Sequence, residues 1–172
     1  MIKSEKKVSE LSRLLAGGNM TLISEAIGML RDEESFEGAI SLLASFYDKT
    51  TDDSVRKAIE TFMNDIKDQA VSKEVITEIR KPLSESTISM LVASCWQSGL
   101  DYSEYSSDFT EVFLVSDYVT ALECLTVIEE SVPGLSQAKK NELINIIREY
   151  PGQPSVEKGG LTSELIEILK EE

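Results

Sequence analysis

Apolar residues fall three and four positions apart in segment after segment of this chain, and no segment alternates apolar with polar long enough to read as a strand. Val8, Leu11, Leu14 and Leu15 mark one amphipathic helix, and Leu22, Ile23, Ala26, Ile27 and Leu30 mark the next. Ile40, Leu43, Ala44 and Tyr47 are followed, across a polar turn-forming run at 48–54, by Val55, Ile59, Phe62, Met63 and Ile66. A shorter helix over 71–81 stops before Pro82, because the residue preceding a proline is pushed out of helical geometry. Ile88, Leu91, Val92 and Cys95 give another, ended by Gly99. Further helices are expected from Ser107 to Val115, from Asp117 to Ser131, and from Ser136 to Tyr150 with Leu143, Ile146, Ile147 and Tyr150 turned inward. Gly17-Gly18 and Gly159-Gly160 read as caps or hinges, the run Pro151-Gly152-Gln153-Pro154 through Gly160 as a loop, and Leu161 to Lys170 as a last helix. The expectation is an all-α fold of stacked antiparallel helical hairpins, about nine helices forming a single repeat domain over 1–172.

The residue inventory removes much chemistry. There is no histidine, hence no Ser-His or Cys-His nucleophile pair and no usual zinc ligand set. Cys95 and Cys124 sit in apolar runs without Cys-x-x-Cys spacing and read as small buried hydrophobes. No phosphate-binding glycine motif is present. Residues 101–112 carry acidic and hydroxyl side chains at calcium-loop intervals, but Tyr105, Ser106 and Val112 stand where a ligand, the turn glycine and the bidentate Glu belong. No cofactor or metal is expected. No apolar run is long enough for a membrane span, and the first seven residues lack the apolar core of a secretory signal, so the expected setting is the cytoplasm.

Two internal likenesses suggest repetition. Residues 42–47 match 91–96 at an offset of 49: two apolar residues, Ala-Ser, then an apolar and an aromatic residue. Asp52-Asp53-Ser54-Val55-Arg56-Lys57-Ala58-Ile59 resembles the opening of the second helix of HEAT repeats. Asp117 to Leu122 repeats it loosely at an offset of 63, with Ala121 and Leu122 in the places of Ala58 and Ile59. The resemblance implies an armadillo-like α-solenoid whose members mostly bind other macromolecules through a concave face. Some helical-repeat proteins of this kind act on bilins or alkylated DNA, which keeps an enzyme, or a subunit of one, as the alternative. Fold likeness does not transfer an activity.

Charge is the feature that points to a partner. The formal net charge is −14, and residues 82–138 hold nine carboxylates and not one Lys or Arg. The same stretch concentrates aromatics, with Trp96, Tyr102, Tyr105, Phe109, Phe113 and Tyr118 making six of the chain's eleven. Phe113 and Trp96 read as core, whereas Tyr102, Tyr105 and Phe109 lie in a polar context and read as exposed. Rings beside carboxylates suit a guanidinium or ammonium, while net negative charge repels nucleic acid and anionic membranes. The expected function is therefore a non-enzymatic module that binds a basic protein or peptide through Asp101, Tyr102, Glu104, Tyr105, Asp108 and Glu111. An acidic mimic of nucleic acid is a further alternative.

Overall fold

Most helices begin where the sequence supplies an oxygen to the otherwise unpaired amides of a first turn. In the computed structural model, which describes residues 1–152 and 155–170, Ser4, Asn19, Asp52, Asp117 and Ser136 each accept a hydrogen bond from the amide three residues on. Ten helices result among the described residues: α1 (Glu5–Ala16), α2 (Met20–Leu30), α3 (Ala39–Tyr47), α4 (Asp53–Asn64), α5 (Ser72–Ile79), α6 (Glu85–Ser98), α7 (Ser106–Val115), α8 (Tyr118–Ser131), α9 (Gln137–Glu149) and α10 (Val156–Lys170). Short 3-10 turns at Gln69–Val71 and Ser103–Tyr105 lead into α5 and α7. The all-α expectation holds, with one isolated bridge between Ile2 and Phe36 as the extended pairing among the described residues.

The chain forms two compact units, residues 1–100 and 101–172. In the first, α1 packs on α3 and α3 on α5, while α2 packs on α4 and α4 on α6. Odd helices thus form one layer and even helices the other, and each hairpin buries its apolar stripe against its neighbour. Ile27, Leu43, Val55, Ile59, Leu91 and Val92 fill the space between. In the second unit α7 packs on α8 and α9, and α10 on α8 and α9, around Phe109, Phe113, Cys124, Ile128, Leu143 and Leu165. Cys95 and Cys124 are both fully buried, as expected of small apolar side chains.

Side chains from one hairpin complete helix ends in the next. Asp48, at the end of α3, accepts hydrogen bonds from the Ser84 amide and the Thr87 hydroxyl, both at 2.8 Å, and so fixes the start of α6. Hydrogen bonding from Ser84, by its side chain and its amide, and from Thr87 holds the Asp48 carboxyl below the ordinary range. Helix α3 has no side-chain cap of its own, because Gly38 occupies that position with φ of 92°. Glu74 of α5 fills the role from outside: its Oε1 accepts from the Gly38 amide at 2.8 Å and the Ser41 amide at 3.3 Å. The other oxygen, Oε2, is buried with no hydrogen-bond partner.

Burial pushes the Glu74 carboxyl above its ordinary 4.5, against the two amides that favour the carboxylate. Its folded pKa lies above its unfolded one, so its stabilising contribution is complete below pH 4.5 and is lost as pH rises through the elevated value. Glu74→Gln keeps an acceptor for both amides and is expected to remove this pH dependence with little loss at neutral pH. Glu74→Ala orphans them and is expected to cost about 1 to 2 kcal/mol. Denaturant titrations of both variants at pH 5 to 8 check this.

Several sequence expectations require correction. The 49-residue likeness is not a structural repeat: residues 42–47 lie in α3, of the odd layer, and 91–96 in α6, of the even layer. Gly159 and Gly160 do not sit between helices but inside the first turns of α10. Ser155 caps the Lys158 amide at 3.3 Å and the buried Lys158 side chain anchors this turn, while Leu161, Leu165 and Leu169 bury their stripe. Together these offset two glycines, whose helical cost is about 1 kcal/mol each relative to Ala. Gln153 and Pro154, read as loop, lie outside the described residues. In α9 the inward face is Lys140, Leu143, Ile144 and Ile147, with Ile146 and Tyr150 half-buried.

Candidate functional site

The segment expected to meet a partner opens the second unit. Asp101 Oδ1 accepts from the Ser103 amide at 2.9 Å, which starts the 3-10 turn and holds the Asp101 carboxyl below its ordinary range. From there the chain runs directly into α7. Glu104, Asp108 and Glu111 stand four and three positions apart and therefore share one helix face. Glu104 and Glu111 are exposed, as is Asp101, and Asp108 is half-buried.

The aromatic half of the expected surface is placed differently. Tyr102 is 3% exposed and Phe109 is fully buried, so neither is available to a partner as expected. The Tyr102 ring meets Phe109 edge-on at 5.8 Å and 88°, and Tyr105 leans against Tyr102 at 6.5 Å and 58°. Tyr105 is half-buried. The reason is helical spacing: Tyr102, Ser106, Phe109 and Phe113 recur at intervals of four, three and four, and all four are buried. Their polar neighbours Glu104, Asp108 and Glu111 fall off this buried stripe, Glu104 and Glu111 exposed and Asp108 half-buried. Phe113 is core as expected, and Trp96 is half-buried.

Charge divides sharply between the units. Residues 101–172 carry 15 acidic and 5 basic side chains, a net −10, against 16 and 12, a net −4, for residues 1–100. Most of the few cations are internal or committed. Lys158 is buried, and its ammonium donates to the Leu114 carbonyl at 3.1 Å and the Ser116 carbonyl at 2.7 Å, closing the end of α7. It also lies 5.6 Å from the centre of the Phe113 ring. Burial lowers its pKa from the ordinary 10.5. Lys140 is buried, and Lys139 donates to Ser107 Oγ at 2.7 Å and pairs with Glu142 at 2.8 Å. Arg148 and Lys170 remain as the exposed cations among the described residues of this unit.

The caps of α4 and α8 set a register two residues from the one the sequence suggests. Asp52 bonds the Val55 amide and Asp117 bonds the Thr120 amide, which aligns α4 with α8 at an offset of 65, not 63. Val55, Ile59 and Met63 then correspond to Thr120, Cys124 and Ile128, and all six are buried. Leu122 falls opposite the exposed Lys57, not the buried Ile59. This leaves an apolar corner on the surface where α7 turns into α8: Val115, Tyr118, Val119 and Leu122 are 71%, 42%, 57% and 41% exposed.

Elsewhere, a cavity of about 200 Å³ in the first unit has Phe36, Ile40, Phe62 and Ile66 in its lining. Two carboxylates of that lining are engaged, Asp65 with Arg31 and Asp68 with the Met1 amino group. Among the described residues no group of three or more Cys, Asp and Glu is arranged to hold a metal ion, and no helix is long and apolar enough to cross a membrane. No protein-family model, no curated protein and no solved structure matches this chain.

Proposed function

We propose that this protein is a non-enzymatic, HEAT-like helical module of the cytoplasm that binds a basic protein or peptide segment, and not nucleic acid, through the acidic face formed by α7 and the turn that leads into it. The observation that carries this reading is the net −10 of residues 101–172, with Asp101, Glu104 and Glu111 exposed beside Asp108. Tyr105 flanks that face, and Tyr102 supports it from within. Convergent carboxylates steer a cationic segment and set its register, and the attraction falls as salt shortens the Debye length.

Titration of the full chain with an unstructured lysine–serine peptide tests the proposal. Binding is expected to weaken about tenfold or more between about 50 and 500 mM salt. A similar loss is expected in the Glu104→Gln, Asp108→Asn, Glu111→Gln variant, but not when the exposed Glu157, Glu164 and Glu167 of α10 are changed to Gln. Affinity indifferent to salt and to the Glu104, Asp108 and Glu111 substitutions would refute the reading.

A further inference from the structure

The exposed corner between α7 and α8 carries apolar residues where comparable helices carry polar ones. Helices α4, α6 and α8 share a pattern counted from their caps Asp52, Ser84 and Asp117. The third helical residue is buried in each: Val55, Thr87 and Thr120. The first, second and fifth positions are Asp53, Ser54 and Lys57 in α4, and Glu85, Ser86 and Ser89 in α6. In α8 they are Tyr118, Val119 and Leu122, and all three are exposed. Val115, the last residue of α7, adds a fourth and is the most exposed of the set. Polar side chains serve at these three positions in α4 and α6, and leaving apolar ones in water in α8 costs solubility without contributing to the core.

What surrounds the corner identifies what fits it. The exposed Glu111 lies one turn before Val115 on α7 and the half-buried Glu123 one turn beyond Val119 on α8, while Asp117, within the corner, is taken up by the Thr120 amide and the nearby Lys158 ammonium. An apolar centre with a carboxylate rim is the complement of a helix with leucine-like residues on one face and lysine or arginine flanking them. A second copy of this chain fits poorly, since a two-fold contact would set the same carboxylates against each other. We propose that Val115, Tyr118, Val119 and Leu122 form the apolar anchor for an amphipathic basic helix of a partner protein. This rests on the basic-partner reading above and adds that the partner segment binds as a helix with one apolar face. Tyr118 and Leu122, one turn apart, grip it, and the α7 carboxylates hold its charged flanks.

Two synthetic peptides of identical composition separate these terms: one places leucines on a single helical face and lysines on the other, and the second is a scramble without a face. The full chain is expected to bind the amphipathic peptide about tenfold or more tightly than the scramble. Val119→Ser with Leu122→Gln, both at exposed positions, is expected to bring the two to within about threefold. Equal affinity of the parent for both peptides, or a preference that survives these substitutions, would overturn the inference, and the basic-partner reading would stand as long as the α7 carboxylate variant weakens both peptides. Peptide preference lost on Val119→Ser with Leu122→Gln but insensitive to the carboxylates would instead uphold the anchor and refute the charge reading. A dimer of the parent chain that the same double substitution dissociates would assign the corner to a second copy and overturn the proposal.

Discussion

Phe109→Ala is expected to destabilise the second unit by about 3 to 5 kcal/mol, the range for emptying a fully buried aromatic site. Phe109 has no exposed surface and receives the Tyr102 ring edge-on at 5.8 Å. Such edge-to-face contacts add about 0.5 to 1.5 kcal/mol beyond area burial. The cavity would open beneath the turn that presents Asp101 and Glu104, so the binding face should loosen as stability falls. Tyr105→Ala is the matched control: half-buried and tilted against Tyr102 at 6.5 Å, it should cost less than half as much. Urea titrations of both variants decide the matter. A Phe109→Ala protein within about 1 kcal/mol of the parent would return this ring to the surface.

The second large effect is expected at Lys158. Its ammonium donates to the carbonyls of Leu114 and Ser116, two groups at the end of α7 that no later turn of the same helix can reach. Lys158→Met keeps the aliphatic stem and removes both bonds, leaving the two carbonyls without this partner. The expected cost is about 2 to 3 kcal/mol, and amide exchange should quicken first around residues 115–118. Because the folded pKa of Lys158 is depressed, the unfolded chain binds the extra proton between that value and 10.5. Stability at this site should therefore rise with pH through that window, and the Met variant should lose the slope. A Met variant as stable as the parent, with unchanged exchange at the corner, would show that the lysine is not holding it.

What the sequence made legible was periodicity. The apolar spacing of Leu43, Ala44 and Tyr47, or of Ile59 and Met63, is long enough to fix both the helix and its inward face. Context misled where composition and spacing disagreed. Tyr102 and Phe109 are surrounded by Asp, Ser and Glu, which suggests a wet loop, yet their distance from Phe113 places them on the inward stripe. At Gly159-Gly160 local propensity favoured a break, and burial of the leucines that follow overrode it. The offset between α4 and α8 was out of reach because the buried equivalents of Val55 and Ile59 are Thr120 and Cys124, too polar or too small to mark a stripe. Cross-hairpin caps such as Glu74 on α3 leave no local signature, since cap and helix are more than thirty residues apart. Of the acidic surface, the carboxylate positions were readable and the apolar corner was not.

The corner's dependence on Lys158 also sets an order of events during synthesis. The α7–α8 hairpin emerges from the ribosome complete in its own hydrogen-bonded helices, but the lysine that closes α7 lies 42 and 44 residues beyond the two carbonyls it serves. Until residue 158 has left the exit tunnel, the apolar cluster at Val115 to Leu122 sits on a frayed helix end. A nascent chain stalled before that point should therefore expose a stickier, less selective patch than the finished protein.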